Sequence, residues 1–293
     1  MCASLAGCGP VTPPEFSADR VVTHVERQVA YGPRVPGTAA RDSAAVYLTR
    51  ELERAGASVS AQTFSIDDPY SERPLRLINV TASFSVGREP RILLAAHYDT
   101  RPWADEDPDS TKWLQPVPGA VDGACGAGIL LEIARAVGAR DPGDVGVDVV
   151  FFDGEDYGRS GDYTYYLIGS QYFAGASAGY RPAAVILIDM VGGVGTKVRR
   201  EALSDQKARP VMDWVFARAG SLGLTYFEST PGAPMYDDHV PLQQVGMPAI
   251  NLFGYGYKAW HTLADDLSQL DRDAIQQVGT LLTSLIYDFD LGE

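Results

Sequence analysis

The stretch VGVDVVFFDGEDYG, residues 145–158, decides the fold. Val147, Val149, Val150, Phe151 and Phe152 make an apolar run of strand length that stops at the Gly154 turn, and they read as a buried β-strand. Asp153, Glu155 and Asp156 follow at once, so a strand driven through a core ends in three carboxylates. The pattern recurs. RILLAAHYD (91–99) is largely apolar up to His97 and Asp99, AAVILID (183–189) ends in Asp189, and PAINLF (248–253) leads into a loop carrying His261. Helical periods fall between these runs. Ile129, Leu130, Ile133, Ala134 and Val137 share a helix that starts near Ala124, GSQYFAGA (169–176) and RPVMDWVFARAG (209–220) read as helices, and Asp271 opens a closing one. Strands alternating with helices predict an α/β three-layer sandwich: a central mixed, mostly parallel sheet with helices on both faces. In such sheets sites form beyond the carboxyl ends of the strands. If the four strands are parallel neighbours, their terminal side chains meet on one edge.

Upstream, Ser17 is a plausible cap for a helix with Val21, Val22, Val25 and Val29 on one face. YGPRVPGT (31–38) is a turn, and a second helix runs to about Gly56. SVSAQTFSI alternates like a strand. LRLINVTASFSV (75–86) and RILLAAHYD flank GREP and are expected to pair antiparallel. The reading divides the chain into an N-terminal tether or signal remnant, residues 1–16, and one catalytic domain, 17–293.

The formal net charge of −14 and pI near 4.7 repel phosphates and exclude nucleic acid as the expected partner. Acidity suits solubility, and it also suits a cationic substrate such as a peptide amino terminus. Cys2, Cys8 and Cys125 do not make a disulfide framework. Leu5-Ala6-Gly7-Cys8 matches a bacterial lipobox, which would make Cys8 a lipid anchor and the protein extracytoplasmic. The residues before Leu5 are too few for a signal segment, so either the true start lies upstream or the match is chance. No run approaches the roughly 20 apolar residues of a membrane span. A monomer is expected.

Clustered carboxylates repel unless a positive charge sits among them. His97, Asp122, Asp156, Asp189 and His261 offer nitrogen and oxygen ligands without sulfur, a set that suits zinc in an open, catalytic site. Glu155 and Asp156 are adjacent at a strand end and point in different directions, so one can bind metal while the other moves protons. Simpler readings cover the rest. Asp153 stabilises its turn, Asp99 orients His97, His24 is an exposed helix residue, and His239 is a hydrogen-bonded structural histidine. TRPWADEDPDSTKW (100–113) is a surface loop beside the site. GACGAG (123–128) lacks the order of a dinucleotide fingerprint, and its glycines let a helix approach the sheet.

HYDTRPWADEDPD, GAVDGACGAGILLEIARA, FFDGEDYG, GSQYFA, LIDMVGG, DDHVPL and WHTLADD, in this order, resemble the zinc-dependent exopeptidase (M28-type) family, whose fold is of the phosphorylase-hydrolase kind. More narrowly they are similar to its glutaminyl-peptide cyclotransferase branch, especially the bacterial members. The resemblance runs from about Val21 to the C-terminus. It implies Asp122, Asp156 and His261 as zinc ligands and Glu155 as proton shuttle. It also implies Asp189 and Asp237 in an acidic network beside the shuttle. Trp260 would shape the substrate pocket, with Tyr157 from the loop YGRSGDYTYYLIGS (157–170) as a further wall. One zinc is implied for a cyclase; in the two-metal aminopeptidases the counterparts of His97 and Asp189 hold a second. Many members carry Glu-Glu where this chain has Glu155-Asp156, and animal cyclases place a tryptophan where this loop has tyrosines.

The implied activity is conversion of an N-terminal glutamine to pyroglutamate with release of ammonia. The alternatives are a metallo-aminopeptidase, which would use the same groups to activate water, and a non-catalytic binding module on the same fold. The module fits least, because every ligand position is kept.

Overall fold

The computed structural model describes residues 12–177 and 179–292. The lipobox-like run and Cys8 lie outside them. Helix α1 (Ala18–Val29) begins at Ser17, whose hydroxyl accepts from Arg20 N, and Thr38 caps α2 (Ala39–Arg54) in the same way. The strands β1 (Ser58–Ile66), β2 (Leu75–Phe84) and β3 (Arg91–His97) follow, then α3 (Gly126–Ala139), β4 (Gly146–Phe152), α4 (Ile168–Ala176) and β5 (Ala184–Asp189). The last third contains β6 (Lys197–Arg200), α5 (Ala202–Lys207), α6 (Arg209–Ser221), β7 (Phe227–Pro231), α7 (His239–Gln244), β8 (Ala249–Tyr255) and α8 (Arg272–Tyr287).

The eight strands form one sheet in the order β1-β2-β4-β3-β5-β8-β6-β7. Its centre, β4-β3-β5-β8, is parallel; β1 with β2, β2 with β4, and β6 with β8 are antiparallel. The sheet is mixed as expected, but the expected β2–β3 pair is absent, because β4 lies between them. The residues explain the order. Both β3 and β4 are buried along their whole length, as adjacent central strands are, whereas β2 alternates and pairs with the more exposed β1.

Side-chain alternation divides the core between two faces. Ile92, Leu94, Val147, Val149, Ile186, Ile188 and Ile250 point to a large cluster with α1, α2, α3, α6 and α8. Leu93, Ala95, Val150, Phe152, Val185 and Leu187 pack against Phe173 of α4 and Leu242 of α7. Phe16 belongs to the first cluster and is 5% exposed. A Cβ on Gly279 would meet its ring. Phe16 is therefore part of the core, one residue ahead of the expected domain boundary at 17. No helix among the described residues is long and apolar enough to cross a membrane.

β3 leads through α3 to β4 on one side. β4 then returns past β3, through α4, to β5 on the other. That reversal opens a crevice beyond the carboxyl ends of β3 and β5.

Candidate metal centre and its cavity

His97 is the last residue of β3 and Asp189 the last of β5, and they flank the crevice with Nε2 and Oδ1 3.1 Å apart. Asp122 arrives from a kinked turn, Ala120–Cys125, in which Asp122 and Gly123 leave helical geometry before α3 begins. Gly123 has φ +98, and a Cβ there would strike Asp99 O, so glycine is what lets this turn press against the strand end. Asp122 Oδ1 lies 3.2 Å from His97 Nε2, and its Oδ2 lies 3.7 Å from His261 Nε2. Asp156 Oδ2 is 3.2 Å from that same nitrogen. His261 is held at φ 54, a left-handed conformation that a non-glycine residue adopts at a cost.

Two triads result, His97-Asp122-Asp189 and Asp122-Asp156-His261, each with ligand atoms within 4.8 Å of one another, and they share Asp122. A tetrahedron with bonds of 2.0–2.2 Å has edges of about 3.4 Å, so these separations suit zinc. The electrostatics agree. Burial, Asp156 and Asp189 raise the Asp122 carboxyl, though His97 pulls against them. Burial and the charge of Asp156 raise Glu155 well above its ordinary range. Burial and Asp189 do the same to Asp237. Burial opposes a charge on His97, but Asp122, Asp189 and Asp99 outweigh it and push the imidazole up. Burial likewise works against Asp156, yet His261 and Arg101 hold it at about 2. The donor set thus calls for a cation at its centre.

Glu155 stands beside this set without joining either triad; its Oε2 is 3.9 Å from His97 Nδ1. A cavity of about 380 Å³ opens over the ligands. Glu155, Asp189 and Asp237 line it with Tyr163, Tyr166, Tyr236 and Trp260. Trp260 is 43% exposed and stacks on His261 at 3.9 Å. Asp237 Oδ2 accepts from Asn251 Nδ2 at 2.5 Å. Tyr157 does not fit its expected place. It is buried outside the cavity, in a cluster with Leu75, Leu77 and Ile168, and its hydroxyl donates to Asp68. The loop sends Tyr163 and Tyr166 to the cavity instead. Arg159 pins that loop by lying over the rings of Tyr70 and Trp103 at 4.9 and 4.6 Å.

Several supporting contacts escaped the sequence reading. Asp99 faces His97 Nδ1 at 3.5 Å as expected, but it also accepts from the backbone N–H groups of Glu155 and Asp156. Asp265 accepts from Val121 N and Asp122 N and from the Tyr257 hydroxyl, so it fixes the Asp122 turn. Arg101, expected on a surface loop, is buried beside Asp156. Asp153 is more than a turn residue: it pairs with Arg41 at 2.7 Å and takes Ile78 N. His239 is buried beside Glu201, and His24 is half-buried against the Tyr47 hydroxyl rather than exposed. Cys125 is a free, buried thiol.

Known proteins share this fold. The model of peptidase family M28 matches residues 79–286. A crystal structure of glutaminyl cyclase from Tannerella forsythia is 37% identical and covers 94% of this chain and 100% of its own, with a TM-score of 0.90. A Zn-dependent exopeptidase from Parabacteroides distasonis gives the same identity, coverage and TM-score. The glutaminyl-peptide cyclotransferase of Bos taurus is 23% identical over 290 residues, which span 87% of this chain and 78% of the bovine one. With the family model matched over most of its length and the fold shared with bacterial glutaminyl cyclases and zinc exopeptidases, the chain belongs to peptidase family M28.

Proposed function

We propose that this protein is a zinc-dependent glutaminyl-peptide cyclotransferase that converts the N-terminal glutamine of a peptide to pyroglutamate. Asp122, Asp156 and His261 would hold one zinc ion. The ion supplies Lewis-acid polarisation of the substrate's side-chain carbonyl. The substrate α-amine attacks that carbonyl carbon, a C–N bond forms, and the bond to the side-chain nitrogen breaks to release ammonia. Glu155 takes the proton from the attacking amine and returns it to the leaving nitrogen. Its raised affinity for a proton, among carboxylates and away from water, suits a group that must both accept and give. Asp189 and Asp237 form the acidic wall beside it, and Asn251 fixes the Asp237 carboxylate. Trp260, Tyr163 and Tyr166 wall the cavity and hold a flexible glutamine in its cyclising shape, an orientation effect.

The observation that carries this reading is the single cavity in which Glu155, Asp189 and Asp237 meet over the ligand set. Aminopeptidase action is the second reading, favoured by one feature: the His97-Asp122-Asp189 triad is complete and Asp122 turns one oxygen to each triad. A paired assay separates them. The cyclase reading expects ammonia release and loss of the free amine from a Gln-initiated peptide, with no amino acid released from a Leu-initiated one. The reverse result would establish the peptidase. Extracytoplasmic placement with a lipid on Cys8 completes the reading; mass spectrometry of the mature protein should find a diacylglyceryl group on Cys8, and a mature chain starting at Met1 would exclude it.

A further inference from the structure

Arg101 follows β3 and leaves 1% of its side chain exposed. All of its donor nitrogens are engaged. Nε and Nη2 fork onto the two oxygens of Asp105 at 2.7 and 2.6 Å. Nη1 donates to Asp156 Oδ1 at 2.9 Å and to Gly158 O at 3.1 Å. The Tyr166 ring lies 5.4 Å from the guanidinium carbon. With Oδ1 held by Arg101, the Asp156 oxygen nearest His261 Nε2 is Oδ2, at 3.2 Å. On the far side, Asp105 Oδ1 stands 3.9 Å from His261 Nδ1. The four residues close a ring behind the ligands: Asp156, Arg101, Asp105, His261.

We propose that Arg101, braced by Asp105, is a positioning residue that sets both Asp156 and His261 for the cation. It dictates which Asp156 oxygen is presented. Through Asp105 it sets a carboxylate on the Nδ1 side of His261, at 3.9 Å, while Nε2 faces Asp122 and Asp156. A guanidinium can do this because its planar fork grips one carboxylate with two nitrogens while the third reaches another; a lysine ammonium cannot hold both in one geometry. The proposal rests on the metal site of the preceding subsection, and not on cyclisation.

The test is metal binding by the full chain. Zinc affinity is measured by competition with a chromophoric chelator for the unaltered protein, Arg101→Lys, Asp105→Asn and the double variant, and the visible spectrum of each cobalt(II) form is recorded. Arg101→Lys keeps the charge and loses the fork. The expected loss is about 10- to 100-fold in zinc affinity, the usual scale for an outer-ring partner. A changed cobalt spectrum should accompany it, with a smaller loss in Asp105→Asn and little further loss in the double variant. Zinc binding as tight as in the unaltered chain, with the same cobalt spectrum, overturns the proposal. If Arg101→Lys does not fold, Asp105→Asn decides alone by the same criteria. These readouts use no turnover, so a failed cyclase assay leaves them valid, whereas an unaltered chain that binds no zinc removes the site and this proposal together.

Discussion

In the proposed mechanism Glu155 is the residue on which the chemistry turns. It lies within 4 Å of His97, and its backbone N–H is held by Asp99, yet its carboxylate belongs to neither ligand triad. Glu155→Gln preserves shape and removes the proton acceptor. The account expects zinc content to stay at the level of the unaltered protein while kcat falls by about 10²–10⁴-fold, the usual share of general acid–base catalysis. Metal analysis alongside steady-state kinetics checks this, and turnover near normal would take Glu155 out of the mechanism. The residues that meet at the cavity were legible in sequence because each follows an apolar strand or a glycine turn, where a charged group has few structural reasons to be. Tyr157 was not. A tyrosine carries both an apolar ring and a polar tip, so loop sequence alone does not say which tyrosine packs inward. Here Asp68 takes the Tyr157 hydroxyl, and Tyr163 and Tyr166 are left for the cavity.

The elements that carry the cavity wall depend on a buried carboxylate remote from the metal. Glu201 precedes α5 and accepts from Leu203 N, Ser204 N, Ser204 Oγ and Met235 N; the last bond ties down the segment that presents Met235, Tyr236 and Asp237. Burial pushes the Glu201 carboxyl up, but His239 Nε2 at 3.3 Å and hydrogen bonds from Ser204 and the backbone outweigh it and hold it at about 2, below the ordinary 4.5. A depressed carboxyl stabilises the folded state fully above the unfolded value and loses that contribution as pH falls. Folding stability should therefore drop between about pH 4.5 and 2, with Glu201 supplying on the order of 2 kcal/mol of the change. Urea titrations across that range should show a shallower acid loss in Glu201→Gln; an identical pH profile would contradict the assignment. This cap was not read from sequence, nor were the short strands β6 and β7. Elements of four or five residues carry too little periodicity to stand out. The misplaced β2–β3 pair has another cause: the GREP turn suggested a hairpin, while the choice of neighbour was made by a strand about fifty residues downstream.

At the scale of the molecule, the site exists because four parallel strands end on one edge, and β3, β4, β5 and β8 do so in adjacent positions. That much followed from the repeated motif of an apolar run closing in His, Asp or Glu. The outer ring followed only in part: Asp99 was read as orienting His97, but Arg101 and Asp265 were not read, because a buried charge in a loop looks like a solvated one until its partners are known. The central claim is that residues spread from Asp122 to His261 converge on one cation with Glu155 left free. Crystals of the zinc-loaded protein, measured on both sides of the zinc absorption edge, test it most directly. The account predicts one anomalous peak about 2.0–2.2 Å from an oxygen of Asp122, an oxygen of Asp156 and Nε2 of His261, with Glu155 outside bonding distance. A peak that lacks any of those three ligands, or one bonded to Glu155, would contradict it.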